Sequence, residues 1–180
     1  MKAKKIVITG GPGTGKTSII NELLNRKFTC FEEVSRQVIL EARKNGDDQL
    51  FLTKPLLFSE LLLEGRLNQF KTAEKSDEKL VFLDRGLHDV LAYMDYVNET
   101  YPDQFKNTCE THKYDMVFVL EPWEAIYKQD NERYETFSQA KLIHEYLVNT
   151  YKNYGYTIHT VPFGAVADRV DFILYAVKSL

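Results

Sequence analysis

The chain is poor in cysteine. It has two in 180 residues, Cys30 and Cys109, far apart and in no paired spacing. That excludes a disulfide scaffold and a cysteine-held zinc site, and a reducing, cytoplasmic setting is the expectation. Excess charge is missing too: 23 Lys and Arg face 26 Asp and Glu, a net of −3. This balance offers no electrostatic footprint for nucleic acid or an anionic membrane, so neither is an expected partner. No apolar run approaches transmembrane length, and the one after the basic start ends at Thr9, too short for a signal-peptide core. None of the four histidines, His88, His112, His144 and His159, stands at metal-ligand spacing. Repeats and long linkers are absent. With 44% hydrophobic residues over this length, one domain spanning residues 1–180 is expected.

Glycine is not abundant, but it is concentrated. Four of the nine glycines fall in "VITGGPGTGKTS", Val7 to Ser18. The spacing G-x-x-x-x-G-K-[ST] is met by Gly10, Gly15, Lys16 and Thr17. An ordinary strand-to-helix turn is the plain alternative. The context favours a phosphate-binding loop, because "KKIVIT" reads as a buried strand and "TSIINELLNR" aligns Ile19, Ile20, Leu23 and Leu24 on one helical stripe. A phosphate has to lie against several backbone N–H groups at once. Side chains at Gly11, Gly13 and Gly15 would block that approach. The cradle then runs through Gly11, Pro12, Gly13, Thr14, Gly15, Lys16, Thr17 and Ser18. Lys16 brings a point charge to the β and γ phosphates, and Thr17 offers a hydroxyl to Mg²⁺. ATP and Mg²⁺ are therefore the expected cofactors.

Strands and helices alternate along the rest of the chain. Strands are expected at Lys4–Thr9, Phe28–Glu32, 79–84, 115–120 and 156–161. Helices are expected over 35–45, from Pro55 onward, over 87–97, over 135–155 closed by Gly155, and from Val166 to the end. Residues 45–53 and 129–136 have the least pattern and read as loops. Such alternation implies an α/β fold, a parallel sheet with helices on both faces.

In parallel sheets ligands sit at the carboxyl ends of strands. "VFLDRG" ends a buried strand in Asp84, at the edge that should hold the phosphate loop. A carboxylate there can hold the metal or take a proton from an attacking hydroxyl, so Asp84 is a candidate catalytic and metal residue. A helix-capping aspartate is the other reading. "FEEVSR" puts Glu33 and Arg36 at the same edge as candidate acceptor contacts, against a solvated charge cluster. Arg66 interrupts an apolar helix; it reaches the acceptor or snorkels to solvent. His88, beside "DRG", is a candidate pocket residue. The polar segment "YKQDNERYETF" suits a lid, from which Lys128 or Arg133 could meet charge on the transferred phosphoryl group. Backbone near Pro162 could pack against an adenine.

Taken in order, "GGPGTGKTS", "FEEVSRQVI", "DRGLHDVLAY", "EPWEAIYKQDNER" and "VDFIL" resemble a NadR-like group of small P-loop proteins. These are described as predicted ATPases with an AAA label and are similar to the nicotinamide-riboside kinase domain. More distant similarity runs to deoxynucleoside and thymidylate kinases. The resemblance implies a three-layer P-loop NTPase sandwich with sheet order 2-3-1-4-5. It implies a catalytic or metal-linked role for Asp84, a phosphate or substrate role for Arg85, and a lid role for Arg133. A kinase acting on a small nucleoside- or nucleotide-like acceptor is the leading function, as monomer or homodimer. A nucleotide-dependent switch or slow ATPase is the alternative. No N-K-x-D motif is present to read guanine, which leans towards ATP.

Overall fold

The computed structural model describes residues 2–127 and 135–180. Five strands form one sheet: β1 (Lys4–Gly10), β2 (Thr29–Phe31), β3 (Leu80–Asp84), β4 (Met116–Leu120) and β5 (Ile158–Val161). Every pairing is parallel and the order is β2-β3-β1-β4-β5, as the resemblance implies. The helices are α1 (Lys16–Asn25), α2 (Val34–Lys44), α3 (Leu50–Thr53), α4 (Pro55–Glu74), α5 (Leu87–Tyr96), α6 (Asp103–Thr111), α7 (Phe137–Asn153) and α8 (Val166–Ala176).

Strands covered on both faces need apolar residues at nearly every position. β1 supplies Ile6, Val7 and Ile8 in a row, all fully buried. Their alternation splits the core in two. Ile6 and Ile8 join Phe82, Phe118 and Leu120 of the sheet against Ile19 and Leu23 of α1 and Val170 and Ile173 of α8. Val7 points the other way, with Leu83, Val117 and Val119, against α2, α4, α5, α6 and α7. Each such side chain contributes about 1.5–3 kcal/mol when taken fully out of water.

Helix ends follow local chemistry. Pro55 opens α4 at a position where its missing N–H costs nothing. Thr136 and Gln139 form a reciprocal cap at the start of α7, and Gly155, at φ +84°, stops the chain beyond its end. Two segments differ from the sequence reading. Residues 50–53, expected as loop, form α3, held down by Leu50 at 6% exposure. Helix α6 has no counterpart in that reading. It buries only Phe105 and Cys109, one turn apart, which is too few to make a readable stripe. Of the loop expected at 129–136, residues 129–134 lie outside the described residues. Among the described residues no helix is long and apolar enough to cross a membrane.

Candidate functional site

The register fixes the site. Ile8 pairs with Asp84 and Gly10 with Leu120, so β1, β3 and β4 end together at one edge of the sheet. The loop leaving β1 turns there into α1. Gly13 (φ +71°) and Gly15 (φ +90°) take backbone conformations that side chains resist. A Cβ on Gly13 would also lie 2.7 Å from the Tyr127 ring. Gly11 is covered by the Ala140 carbonyl of α7, and Pro12 is buried. The Thr14 hydroxyl donates to the Gly11 carbonyl at 3.0 Å, which closes the loop on itself. Thr17 and Ser18 are exposed at the start of α1.

Lys16 is buried, and its Nζ donates to the carbonyls of Gly10 at 2.9 Å and Gly11 at 2.8 Å. Burial, with the nearby Arg85 guanidinium, pushes its pKa down to about 7, against the pull of Asp84, Glu33 and Asp89. Asp84 is 5% exposed and its Oδ1 has no hydrogen-bond partner among the described residues. Burial raises this carboxyl above its usual range, although Lys16 draws it down. A buried acceptor atom without a donor is costly unless something completes it.

Across from the loop, two arginines and two carboxylates interlock. Arg66 is 3% exposed. It donates to Glu33 Oε1 at 2.8 Å and to the Gly86 carbonyl at 3.2 Å. Its charge therefore does not snorkel to solvent. Arg85 pairs with the other Glu33 oxygen, with Asp89 Oδ1 at 3.2 Å, and with the Gly10 carbonyl at 3.1 Å. Its backbone is left-handed, φ +71°, a conformation costing about 1–2 kcal/mol that the ion pairs hold in place. Burial drives the Glu33 carboxyl up, but Arg66 and Arg85 outweigh it and keep the group below its ordinary pKa. Glu33 also accepts from the Ser35 N–H at 3.3 Å, capping α2. Arg36 is exposed on α2, with its guanidinium 3.5 Å from the Thr17 hydroxyl.

Asp89 is the hub that the sequence reading did not single out as a site residue. It is fully buried and accepts four bonds: from Thr9 at 2.5 Å, Arg85 at 3.2 Å, the Gly86 N–H at 3.0 Å and Tyr151 at 2.6 Å. These tie β1, the turn after β3 and α7 into one frame behind the phosphate loop. Asp89→Ala takes one of three partners from Arg85 and leaves the Thr9 and Tyr151 hydroxyls and the Gly86 N–H without theirs in a dry core. Unfolding in urea should show a loss of about 3–5 kcal/mol; a loss below about 1 kcal/mol would mean that the frame is held elsewhere.

His88 lies elsewhere. Its ring is fully buried among Tyr114, Tyr151, Tyr154 and Tyr156, with centroids 4.7–6.1 Å away. Burial pushes its pKa down to about 3, so it is a neutral core residue. The helix period explains this: Asp89 takes the site-facing position, which turns His88 inward. Lys128 and Arg133 lie outside the described residues.

A cleft of about 360 Å³ opens on the other flank of the loop. It is bounded by Gly13, Gly15, Trp123, Ile126 and the backbone from Gly164 to Val166 rather than by Pro162. Trp123 stacks on Phe163 at 5.0 Å. Arg169, 2% exposed, passes beneath and donates to the Thr14 carbonyl at 3.3 Å. Nothing local in the sequence points to Arg169; it comes from α8, at the far end of the chain.

No curated protein matches the sequence. Solved structures do match in shape. NadR protein in complex with NR aligns with a TM-score of 0.74 at 19% identity, over 98% of this chain and 49% of that one. Deoxyadenosine kinase from M. mycoides, with products dCMP and a flexible dCDP bound, aligns at 0.70 and 17% identity, over 98% and 100%. Thymidylate kinase from Candida albicans aligns at 0.69 and 16% identity, over 99% and 92%. The chain thus spans about half of NadR and nearly all of the two kinases. At these identities the likeness is one of fold, that of P-loop kinases. A family model described as an AAA domain matches residues 5–169, and with its phosphate loop at the expected edge of the expected sheet, the chain belongs to that family of P-loop proteins.

Proposed function

We propose that this protein is a Mg²⁺-dependent kinase that passes the γ-phosphoryl group of ATP to a small nucleoside- or nucleotide-like acceptor. The observation that carries this is the unpartnered Asp84 Oδ1, buried beside the Lys16 ammonium at the mouth of the phosphate loop. A loop that only held nucleotide would have no use for a second polar cluster, yet Glu33, Arg66 and Arg85 stand across from it.

The loop binds the phosphates through backbone N–H groups, and Lys16 swings from the Gly10 and Gly11 carbonyls to the β and γ oxygens. The acceptor oxygen forms a bond to Pγ as the bond from Pγ to the bridging oxygen breaks. The electron pair of that bond leaves on ADP, and the acceptor proton goes to Asp84 and then to water. Mg²⁺, when bound, neutralises charge on the phosphates. Thr17 and Asp84 are the residues that would hold it. Phosphate oxygens and water would supply the remaining ligands, as is usual for Mg²⁺ bound with a nucleotide. The cleft beside Trp123 would take the adenine.

The test is ADP release and product mass over a panel of nucleosides and their monophosphates. Phosphorylated product from any of them is the expected result. Tight ATP binding with no product would replace the kinase reading with a nucleotide-dependent switch.

A further inference from the structure

We infer that Arg169 is a fixed positive charge behind the phosphate loop, kept in the interior to hold the phosphates of the nucleotide. This rests on the nucleotide-binding half of the kinase reading and does not need the transfer step.

Arginines inside a protein ordinarily come with carboxylates, because an uncompensated charge is costly out of water. Arg66 has Glu33, and Arg85 has Glu33 and Asp89. Arg169 is 2% exposed and forms no ion pair among the described residues. Its hydrogen bond goes to the Thr14 carbonyl at 3.3 Å, and its Nε is buried without a partner. The Trp123 ring, with its centroid 5.8 Å from the guanidinium carbon, supplies a modest attraction. Burial lowers the pKa of the group, and no neighbouring charge raises it. None of these contacts needs the charge. A neutral amide could donate to the Thr14 carbonyl, and a methionine could fill the space against Trp123.

The place of Arg169 says what the charge is for. Val170 and Ile173 of α8 share one core with Ile19 and Leu23 of α1, which seats Arg169 beneath the start of α1. A Cβ on Gly15 would lie 3.0 Å from a terminal nitrogen of Arg169. Gly15 is the N-cap of α1. It brings no side-chain cap, and the first turn of the helix holds no acidic residue. A helix N-terminus carries a partial positive charge. Two positive ends therefore meet at Gly15, and neither a first-turn carboxylate nor an ion-pair partner offsets them. A bound polyphosphate offsets both at once. Arg169 borders the same cleft as Gly13, Gly15 and Ser18, yet it is too enclosed to be gripped by a ligand. It acts across the loop backbone, through a medium in which charges interact more strongly than in water.

The experiment measures Kd by calorimetry, in the presence of Mg²⁺, for ATP and for inorganic tripolyphosphate. Wild type is compared with Arg169→Gln, which keeps a donor for Thr14, with Arg169→Met, and with Arg169→Lys, which keeps the charge. Circular dichroism checks the folding of each. Both neutral variants should bind ATP and tripolyphosphate about tenfold more weakly or worse, the scale of one unit charge acting through protein. The lysine variant should stay within about threefold of wild type. Wild-type affinity in Arg169→Gln reduces the arginine to a hydrogen-bond donor and overturns the inference. Equal losses in Arg169→Gln and Arg169→Lys make shape rather than charge the cause and overturn it too. A loss for ATP alone, with tripolyphosphate unaffected, moves Arg169 to the base and overturns the assignment to phosphate. If neither neutral variant folds, the charge belongs to the fold and the inference falls. A wild type that binds neither ligand removes the nucleotide-binding reading along with this one. Binding without transfer to any acceptor removes the kinase reading and leaves this inference standing.

Discussion

Lys16→Ala is expected to remove most of the stabilisation by ATP while leaving the protein folded. Lys16 sits where two carbonyls hold its ammonium, and burial brings its pKa from 10.5 to about 7. The folded state thus binds fewer protons than the unfolded chain between about pH 7 and 10.5. Across that window this residue makes stability rise with pH. Removing the ammonium removes a group that folding had to desolvate, so the nucleotide-free variant should unfold no earlier than wild type near neutral pH. ATP is different. A bound triphosphate supplies the charge that Lys16 lacks and restores its proton. Wild-type affinity should therefore fall as pH rises above about 7, with proton uptake on binding, visible by calorimetry in buffers of different ionisation enthalpy. At 100 times Kd a ligand adds about 2.7 kcal/mol to stability. Loss of Lys16 should remove most of that gain and cut turnover by about 10²–10³, the scale for one preorganised donor to a developing anion. Equal ATP stabilisation in variant and wild type would sink the phosphate-loop reading.

How much could be read from the sequence follows from how local each feature is. The phosphate loop is contiguous, Gly10 to Ser18, and each residue has its own chemical reason, so it can be read without a fold. Asp84 needs one further step, that a buried strand ends there and parallel strands end together. The sheet order is legible through resemblance, since nothing in the apolar runs says which strand lies beside which. The ion-pair frame is not legible. Asp89 depends on Thr9 and Tyr151, which are brought to it from β1 and α7. Arg66 on an apolar helix looks like a residue bound for solvent. It stays inside because Glu33, from the other side of the sequence, waits there. His88 shows the opposite failure: adjacency in sequence to "DRG" placed it near the site, while the turn of α5 directs its ring into the tyrosine cluster. Cleft residues Trp123 and Arg169 meet only because β4 and β5 are neighbours in the sheet.

Asp84→Asn separates a proton-accepting carboxylate from a capping one. Asn keeps the shape and ranks with Asp as a helix cap, so a purely structural Asp84 would tolerate the change. The geometry points the other way. The next helix is entered at Gly86, whose N–H is bonded to Asp89, so the capping role is already filled. Asp84 instead keeps a buried oxygen without a donor, and burial holds its pKa above the usual carboxylate range. A raised pKa brings a general base nearer to the working pH, where proton transfer is most effective. As pH falls through the Asp84 pKa, wild-type transfer should decline because the base becomes protonated. The Asn variant should lose that acid limb altogether. Its ATP affinity should stay near that of wild type, while transfer to an acceptor falls by about 10² or more. If the carboxylate acts chiefly on the metal, the loss should instead be partly recovered at high Mg²⁺. Full activity in Asp84→Asn, on an acceptor that the wild type uses, would remove Asp84 from the chemistry and leave Glu33, freed from one of its arginines, as the carboxylate within reach.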